Sequence, residues 1–503
     1  MRLLNQWILC IAWCLCTAQA FAAGELSRAP YLQLATPHSI YVVWRTDGAI
    51  DPVVRYGAEP DAMDVKVSGS AILLRVSSDI EAEADIPRLF LATPENQIGK
   101  DNQKQGGKKY PKWSDSDPLT NTFQYEAFIT GLEPGQRYFY SVYDGDRKLF
   151  GGDPSYSFRS LQQPDDPISA RIWLAGDTGT GETDQKLVYD AMLAYVAQSD
   201  RPLDHFIHLG DMAYTIGTDE QFSRNFFSVY EDLLRHTVCW PTLGNHEGKT
   251  SNGQTGVGPY FDAYVLPVAA EVGGAPSGSE AYYSFNIGRA HFVCLDSYDI
   301  DRSPEGDMAR WLRADLKQAD GDWLIAFWHH PPYTLGSHNS DLEIQLVEMR
   351  EYIMPILEDA GVDIVFTGHS HIYERSMLMD GAYATPTTAE GVILDDGDGN
   401  PDGDGAYRKN TGLHPHEGTV QVVAGHGGAH VSRRGSMPVM REIIVENGSI
   451  LLDIDGDRLV GTMIDKHGSR RDHFSIVKDH LVTPTPVDDP WQPAPFENPS
   501  KKK

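Results

Sequence analysis

The sequence predicts two domains, an N-terminal β-sandwich followed by an α/β-layered domain, and three features carry that expectation. Residues 26–160 hold the alternating run SIYVVWRT and a second strand-like run, RYFYSVYDG, entered through the turn LEPGQ. Alternation with period two marks strands that bury one face. From residue 168 the pattern changes to short apolar runs that each end in a polar cluster: ARIWLAGD, HFIHLGD, PTLGNHE, WLIAFWHHPP and VDIVFTGHSH. Amphipathic stretches such as DQKLVYDAMLAYVAQ lie between some of them, which is the pattern of a layered α/β domain.

Taken in chain order, residues 1–23 join one arginine, an apolar core and small residues at Ala18, Ala20 and Ala22. They read as a secretory signal cleaved between Ala20 and Gly24. No other segment is long and apolar enough to span a membrane, so a secreted or periplasmic protein is expected. In the sandwich, the spacing of Leu132, Pro134, Gly135 and Tyr138, with Trp44 earlier, resembles a fibronectin type III module, where the Trp and Tyr are core and corner residues. Residues 81–121, rich in charge, Gly and Pro, read as a long insertion with solvated lysines. LQQPDDP, residues 161–167, reads as a linker. The second domain extends over 168–480, its last part containing hairpins around DGDR and DKHGS. Residues 481–503 form a Pro-rich tail expected to be disordered.

Two further features are weaker. Residues 395–405 space acidic side chains like a calcium loop, but Pro401 stands where the turn glycine belongs and Tyr407 where the bidentate glutamate belongs, so an acidic loop is favoured. After signal cleavage only Cys239 and Cys294 remain, both in apolar runs that favour buried thiols, with one disulfide left open.

The chain has 503 residues and a formal charge of −29. Such a background repels nucleic-acid backbones and anionic membranes, which argues against polyanion binding through a basic face. An anionic substrate would need a local positive centre to overcome that repulsion within about 10 Å, and a bound metal supplies one. The strand ends provide the means. In order they offer Asp177, Asp211, Tyr214, Asn245, His246, His329, His369 and His371. Ligands of open α/β sheets bind beyond the carboxyl ends of the strands, where every cluster lies. Each residue alone has a structural explanation as a cap, a turn former or a satisfied histidine. Those explanations do not account for repeated placement of hard oxygen and imidazole donors, which suits two cations about 3.5 to 4 Å apart. No thiolate joins the set, which argues against structural zinc and iron–sulfur chemistry. A phenol ionises near pH 10, so Tyr214 as a ligand favours a strong Lewis acid such as ferric iron.

In the order GDTG, GDMAY, GNHE, WLIAFWHHPPY and GHSHIYER, the chain resembles the purple acid phosphatases of the metallophosphoesterase superfamily, the last motif especially resembling the plant branch. The superfamily generally carries D-x-H at the first motif. Here Asp177-Thr178-Gly179 lacks the histidine, and Tyr214 replaces it, as in the purple subgroup. The resemblance implies an α/β/β/α-layered catalytic domain behind the sandwich. It also implies Fe(III) on Asp177, Tyr214 and His371, a divalent ion (Zn, Fe or Mn) on Asn245, His329 and His369, and Asp211 bridging both. His330 is left out of the ligand set because a continuing strand pleat would turn it away from its neighbour.

The implied reaction is hydrolysis of a small phosphate monoester by a metal-bound hydroxide. His246 is expected to protonate the leaving oxygen, Glu247 to orient or tune His246, and His246 and His338 to contact the substrate. Plant relatives carry a second histidine after the one corresponding to His338, and Asn339 stands there, which leaves substrate preference open. A phosphodiesterase or nucleotide pyrophosphatase on the same metal pair is an alternative. A non-catalytic adhesion protein with a decayed phosphatase domain is another, which the intact ligand set disfavours. The sequence leaves the oligomeric state open.

Overall fold

The computed structural model describes residues 25–73 and 122–480. The signal segment, the insertion at 81–121 and the Pro-rich tail lie outside the described residues.

The N-terminal domain is a sandwich. One sheet runs Glu25–Gln33, Ser39–Asp47, Thr122–Thr130 and Ser70–Leu73 in spatial order. The other runs Val65–Ser68, Pro52–Gly57, Arg137–Asp144 and Arg147–Gly151, with Ser157–Arg159 paired to Arg137–Asp144. Trp44 is fully buried and stacks on Tyr125 at 5.4 Å. The Tyr138 hydroxyl accepts the Glu133 N–H at 2.9 Å, so Tyr138 pins the turn that introduces its own strand, the corner role read from its spacing. Leu161 is buried and its carbonyl accepts the Gly135 N–H, so the connecting segment begins docked on the sandwich.

The second domain contains two seven-stranded sheets. The first orders Val238–Pro241, His205–His208, Ser169–Ala175, Gly448–Asp455, Arg458–Asp465, Arg470–His480 and Tyr407–Asn410. The second orders Tyr283–Ile287, Ala290–Cys294, Trp323–Trp328, Ile364–Thr367, Val420–Ala424, Tyr373–Ser376 and Met440–Ile444. Trp240 of the first sheet stacks on Phe285 of the second at 4.1 Å, and Trp173 stacks on Phe206 at 4.2 Å. Burying about 200 Å² per tryptophan contributes on the order of 5 kcal/mol before chain entropy, between the two sheets at Trp240 and within the first sheet at Trp173. Helix Thr183–Val196 turns Val188, Tyr189, Met192 and Val196 onto the core, matching the amphipathic stretch.

Ser169–Ala175, His205–His208 and Val238–Pro241 pair in parallel, as do Trp323–Trp328 and Ile364–Thr367 in the other sheet. Parallel strands end on the same side, so the segments after Ala175, His208, Pro241, Trp328 and Thr367 gather at one edge of the layered core. Cys239 and Cys294 are both free and buried, and the open disulfide does not form. The loop at 395–405 spends its carboxylates on its own amides: Asp404 accepts from Asp398 N at 3.0 Å and Asp398 from Asn400 N at 2.7 Å.

Candidate metal centre

Backbone geometry places the strand-end residues. Asp177, Asp211 and His369 take left-handed φ values of 55°, 56° and 63°, uncommon for side chains other than glycine and costing about 1–3 kcal/mol each. Each begins the loop after its strand, and the left-handed turn brings its side chain back over the strand end. Two glycines make room. A Cβ at Gly368 would lie 2.7 Å from Asp177 Oδ2. At Gly179 it would lie 2.0 Å from the Met212 carbonyl. The position where D-x-H relatives carry a histidine is thus filled by the backbone that leads to Tyr214, and the phenol enters from there.

The donors converge in two groups. Tyr214 Oη lies 3.2 Å from each of Asp177 Oδ1, Asp211 Oδ2 and His371 Nε2. Asn245 Oδ1 lies 3.0 Å from His329 Nε2 and 2.8 Å from His369 Nδ1. Asp211 joins the groups, its Oδ2 also lying 3.4 Å from His329 Nε2. The remaining carboxylate oxygens are held by backbone: Asp177 Oδ2 accepts from His369 N at 2.7 Å and Asp211 Oδ1 from His246 N at 2.9 Å. A cation that keeps N and O ligands at about 2.1 Å sets neighbouring ligand atoms about 3 Å apart, the spacing seen here.

Each imidazole turns one nitrogen inward and anchors the other. His329 Nδ1 bonds the Leu209 carbonyl at 2.8 Å, and His371 Nδ1 the His430 carbonyl at 3.2 Å. His369 Nε2 faces Glu343 at 3.6 Å. Outer partners of this kind fix the tautomer and ring orientation of metal-binding histidines.

The electrostatics favour a positive charge at this point. Asp177 and Asp211 are buried at 0% and 1% exposure with carboxylates converging on one phenol oxygen. Burial, reinforced by Asp211 and Asp177, pushes the Tyr214 phenol well above its ordinary range, so its ionisation requires a cation. Burial would lower His329, but the Asp211 charge and hydrogen bond outweigh it and take His329 up to about 9. The donor set, its spacing and its field fit a pair of hard cations.

His246 stands beside the Tyr214 group. Its ring packs 4.1 Å from the Tyr214 ring, Nδ1 bonds the Thr215 carbonyl at 2.7 Å, and Nε2 lies 3.7 Å from Asp211 Oδ2. The Nδ1 bond leaves Nε2 as the edge facing the centre. His338 lies against His369 with ring centroids 3.8 Å apart. Its Nδ1 bonds the Glu343 carboxylate at 2.8 Å.

Two expectations are corrected. The Glu247 carboxylate does not hydrogen-bond to the His246 ring. It is fully buried and accepts the N–H groups of Asp211, Ala213 and Gly244 at 2.8, 3.0 and 3.1 Å, so it ties the Asp211 loop to the loop that carries Asn245 and His246. Burial and the Asp211 charge push Glu247 up to about 8. His330 does not turn away, because its strand ends at Trp328 and the pleat with it. Its ring sits 4.3 Å from His369, with Nδ1 bonded to Ser297 Oγ at 2.8 Å. Glu343 and Lys249 join the surroundings of the site without a motif of their own. Lys249 Nζ reaches the Thr215 carbonyl at 3.1 Å beside His246. Glu343 follows His338 by five residues, and a carboxylate that close to a candidate substrate histidine was the available signal.

Known proteins resemble both domains of the chain. Residues 170–373 match the Calcineurin-like phosphoesterase family and residues 28–160 match Purple acid Phosphatase, N-terminal domain. Purple acid phosphatase 23 of Arabidopsis thaliana is 30% identical over 376 residues, covering 68% of this chain and 73% of that protein. Purple acid phosphatase 15 of the same plant is 28% identical over 309 residues, covering 55% of this chain and about half, 54%, of that protein. A purple acid phosphatase from yellow lupin (Lupinus luteus) seeds shares the fold with a TM-score of 0.63 at 19% identity, covering 92% of this chain and 78% of that one. No helix among the described residues is long and apolar enough to cross a membrane. With both domains matched and the strand-end donors gathered at one edge, the chain belongs to the purple acid phosphatases, a family of metal-dependent phosphatases with a binuclear centre.

Proposed function

We propose that the chain is a secreted acid phosphatase that hydrolyses small phosphate monoesters. The assignment puts Fe(III) on Asp177, Tyr214 and His371 and a divalent ion, Zn, Fe or Mn, on Asn245, His329 and His369. The observation that carries it is the position of Asp211 Oδ2, 3.2 Å from Tyr214 Oη and 3.4 Å from His329 Nε2, between the two donor groups. When bound, such a pair polarises phosphoryl oxygens and supplies a nucleophile at low pH.

The protein residues do the rest. Asp177 and Asp211 set the negative field that retains the cations in a chain of formal charge −29. His246, protonated at Nε2, gives its proton to the leaving oxygen, and its Nδ1 bond to the Thr215 carbonyl keeps the ring in register during transfer. His338 donates to a non-reacting phosphoryl oxygen, held by Glu343 against the His369 ring. Glu247 ties the Asp211 and Ala213 amides of the Asp211 loop to the Gly244 amide of its own loop and takes no proton from substrate.

The test is turnover of an aryl phosphate monoester and the corresponding diester by purified protein of known metal content. Faster hydrolysis of the monoester, lost on chelation and restored by iron plus a divalent metal, is expected. Preference for the diester would reassign the enzyme as a phosphodiesterase, and a metal-loaded protein inert to both would indicate a scaffold.

A further inference from the structure

Arg28 and Arg45 belong to the sandwich, on the adjacent strands Glu25–Gln33 and Ser39–Asp47, yet both guanidinium groups reach out of that domain. Both meet the carboxylate of Asp219 in the catalytic domain, Arg28 at 3.1 Å. The arginine side chains are each 1% exposed. Arg28 also donates to Ser223 Oγ at 2.8 Å and lies 3.9 Å over the Phe227 ring. Tyr31, from the same strand as Arg28, packs against Phe227 at 4.7 Å. Asp219, Ser223 and Phe227 are spaced by four along the consecutive helical segments Asp219–Phe222 and Ser223–Phe227, so one face of that helix is seated on the sandwich.

The opposite contacts of the same helix hold Tyr214. Asn225 Nδ2 donates to the Tyr214 carbonyl at 3.0 Å and to the Gly179 carbonyl at 2.9 Å. Gln221 Oε1 accepts the N–H of Ile216 at 3.0 Å and of Thr218 at 3.3 Å. The segment from Tyr214 to Thr218 and the loop after Asp177 are thus both tied to residues 219–227. So short a helix is marginal alone and needs external anchors.

We infer that Arg28 and Arg45 are positioning residues for Tyr214, so that the N-terminal sandwich sets where the phenol oxygen stands among Asp177, Asp211 and His371. The inference rests on the proposed ligation by Tyr214. Two guanidinium groups share one carboxylate, so removing Arg28 leaves Arg45 and Asp219 as a matched buried pair. Removing Asp219 would instead strand two buried cations, which makes Arg28 the better site for a test.

The experiment compares the full-length wild type with Arg28→Met, Arg28→Lys and Ser223→Ala, measuring Fe(III) retention against a graded chelator, the visible spectrum, and amide deuterium uptake. Arg28→Met is expected to weaken Fe(III) retention by up to about 10-fold, the low end of outer-partner effects because it acts through residues 219–227, and to shift or weaken the visible band. Uptake should rise in 212–227 and stay at the wild-type level in 366–373. Arg28→Lys, which keeps the charge, should recover most of each change. Unaltered Fe(III) retention, spectrum and uptake in Arg28→Met would overturn the inference. If Arg28→Met fails to fold, Ser223→Ala should give smaller changes in the same direction, and their absence would overturn it. A colourless wild type that contains ferric iron would refute Tyr214 ligation itself, and with it the inference as stated. The uptake comparison would then show separately whether Arg28 anchors the segment.

Discussion

The two sides of the candidate centre share their construction and differ in charge. On the Tyr214 side, a carboxylate, a phenol and one imidazole stand 3.2–3.3 Å apart. On the Asn245 side, a neutral amide oxygen stands 2.8 and 3.0 Å from the nitrogens of two imidazoles. Spacing therefore does not distinguish the positions. Anionic oxygen donors do: they suit a small, highly charged cation, whereas amide and imidazole donors suit a divalent one. Asp211, facing both groups, makes them one centre with two unequal halves.

The most severe way to break this asymmetry is to remove the shared group. Asp211→Ala should lose both metals and nearly all activity, whereas Asn245→Ala should lose mainly the divalent ion, as metal analysis of the two variants would show. Equal loss of both ions in the two variants would mean that Asp211 is not shared. The next effect lies outside the ligand set. His246→Ala should keep both metals and slow esters with poor leaving groups about 10²- to 10⁴-fold, the usual worth of a general acid. An ester with a very acidic leaving group should lose much less, and equal losses would make His246 a phosphate-positioning group instead. The smallest effect sharpens the Asn245 side alone. Glu343→Gln keeps a partner for His338 but removes the charge 3.6 Å from His369 Nε2. Affinity for the divalent ion should fall about 10-fold, at the low end of outer-partner effects, with Fe(III) retained.

Much of this centre could be read from the sequence because strand ends announce themselves. An apolar run that stops at Asp, Asn or His fixes both the element and the place of its donor, as for Asp177, Asp211 and His369. Trp44 and Tyr138 were readable for a similar reason, since a corner tyrosine bonds only five residues upstream. What could not be read depends on contacts without a local signature. Arg28 meets Asp219 across 191 positions of sequence. Glu247 adjoins His246, yet its carboxylate turns to two amides of the Asp211 loop and one of its own loop because a fully buried carboxylate must find donors. The expected turn of His330 away from its neighbour fails because the strand, and its pleat, end at Trp328.

The most direct test of the unequal halves is the visible spectrum of the iron-loaded enzyme beside that of Tyr214→Phe, with metal content measured on both. The substitution removes one oxygen and keeps the ring, so the fold should persist. The wild type should be pink to purple, through charge transfer from the phenolate to ferric iron. The variant should lose the band and hold iron more weakly on Asp177, Asp211 and His371, while the divalent ion stays at the wild-type level. A wild type that contains ferric iron without a visible band, or a Tyr214→Phe variant that keeps the band, would contradict the assignment.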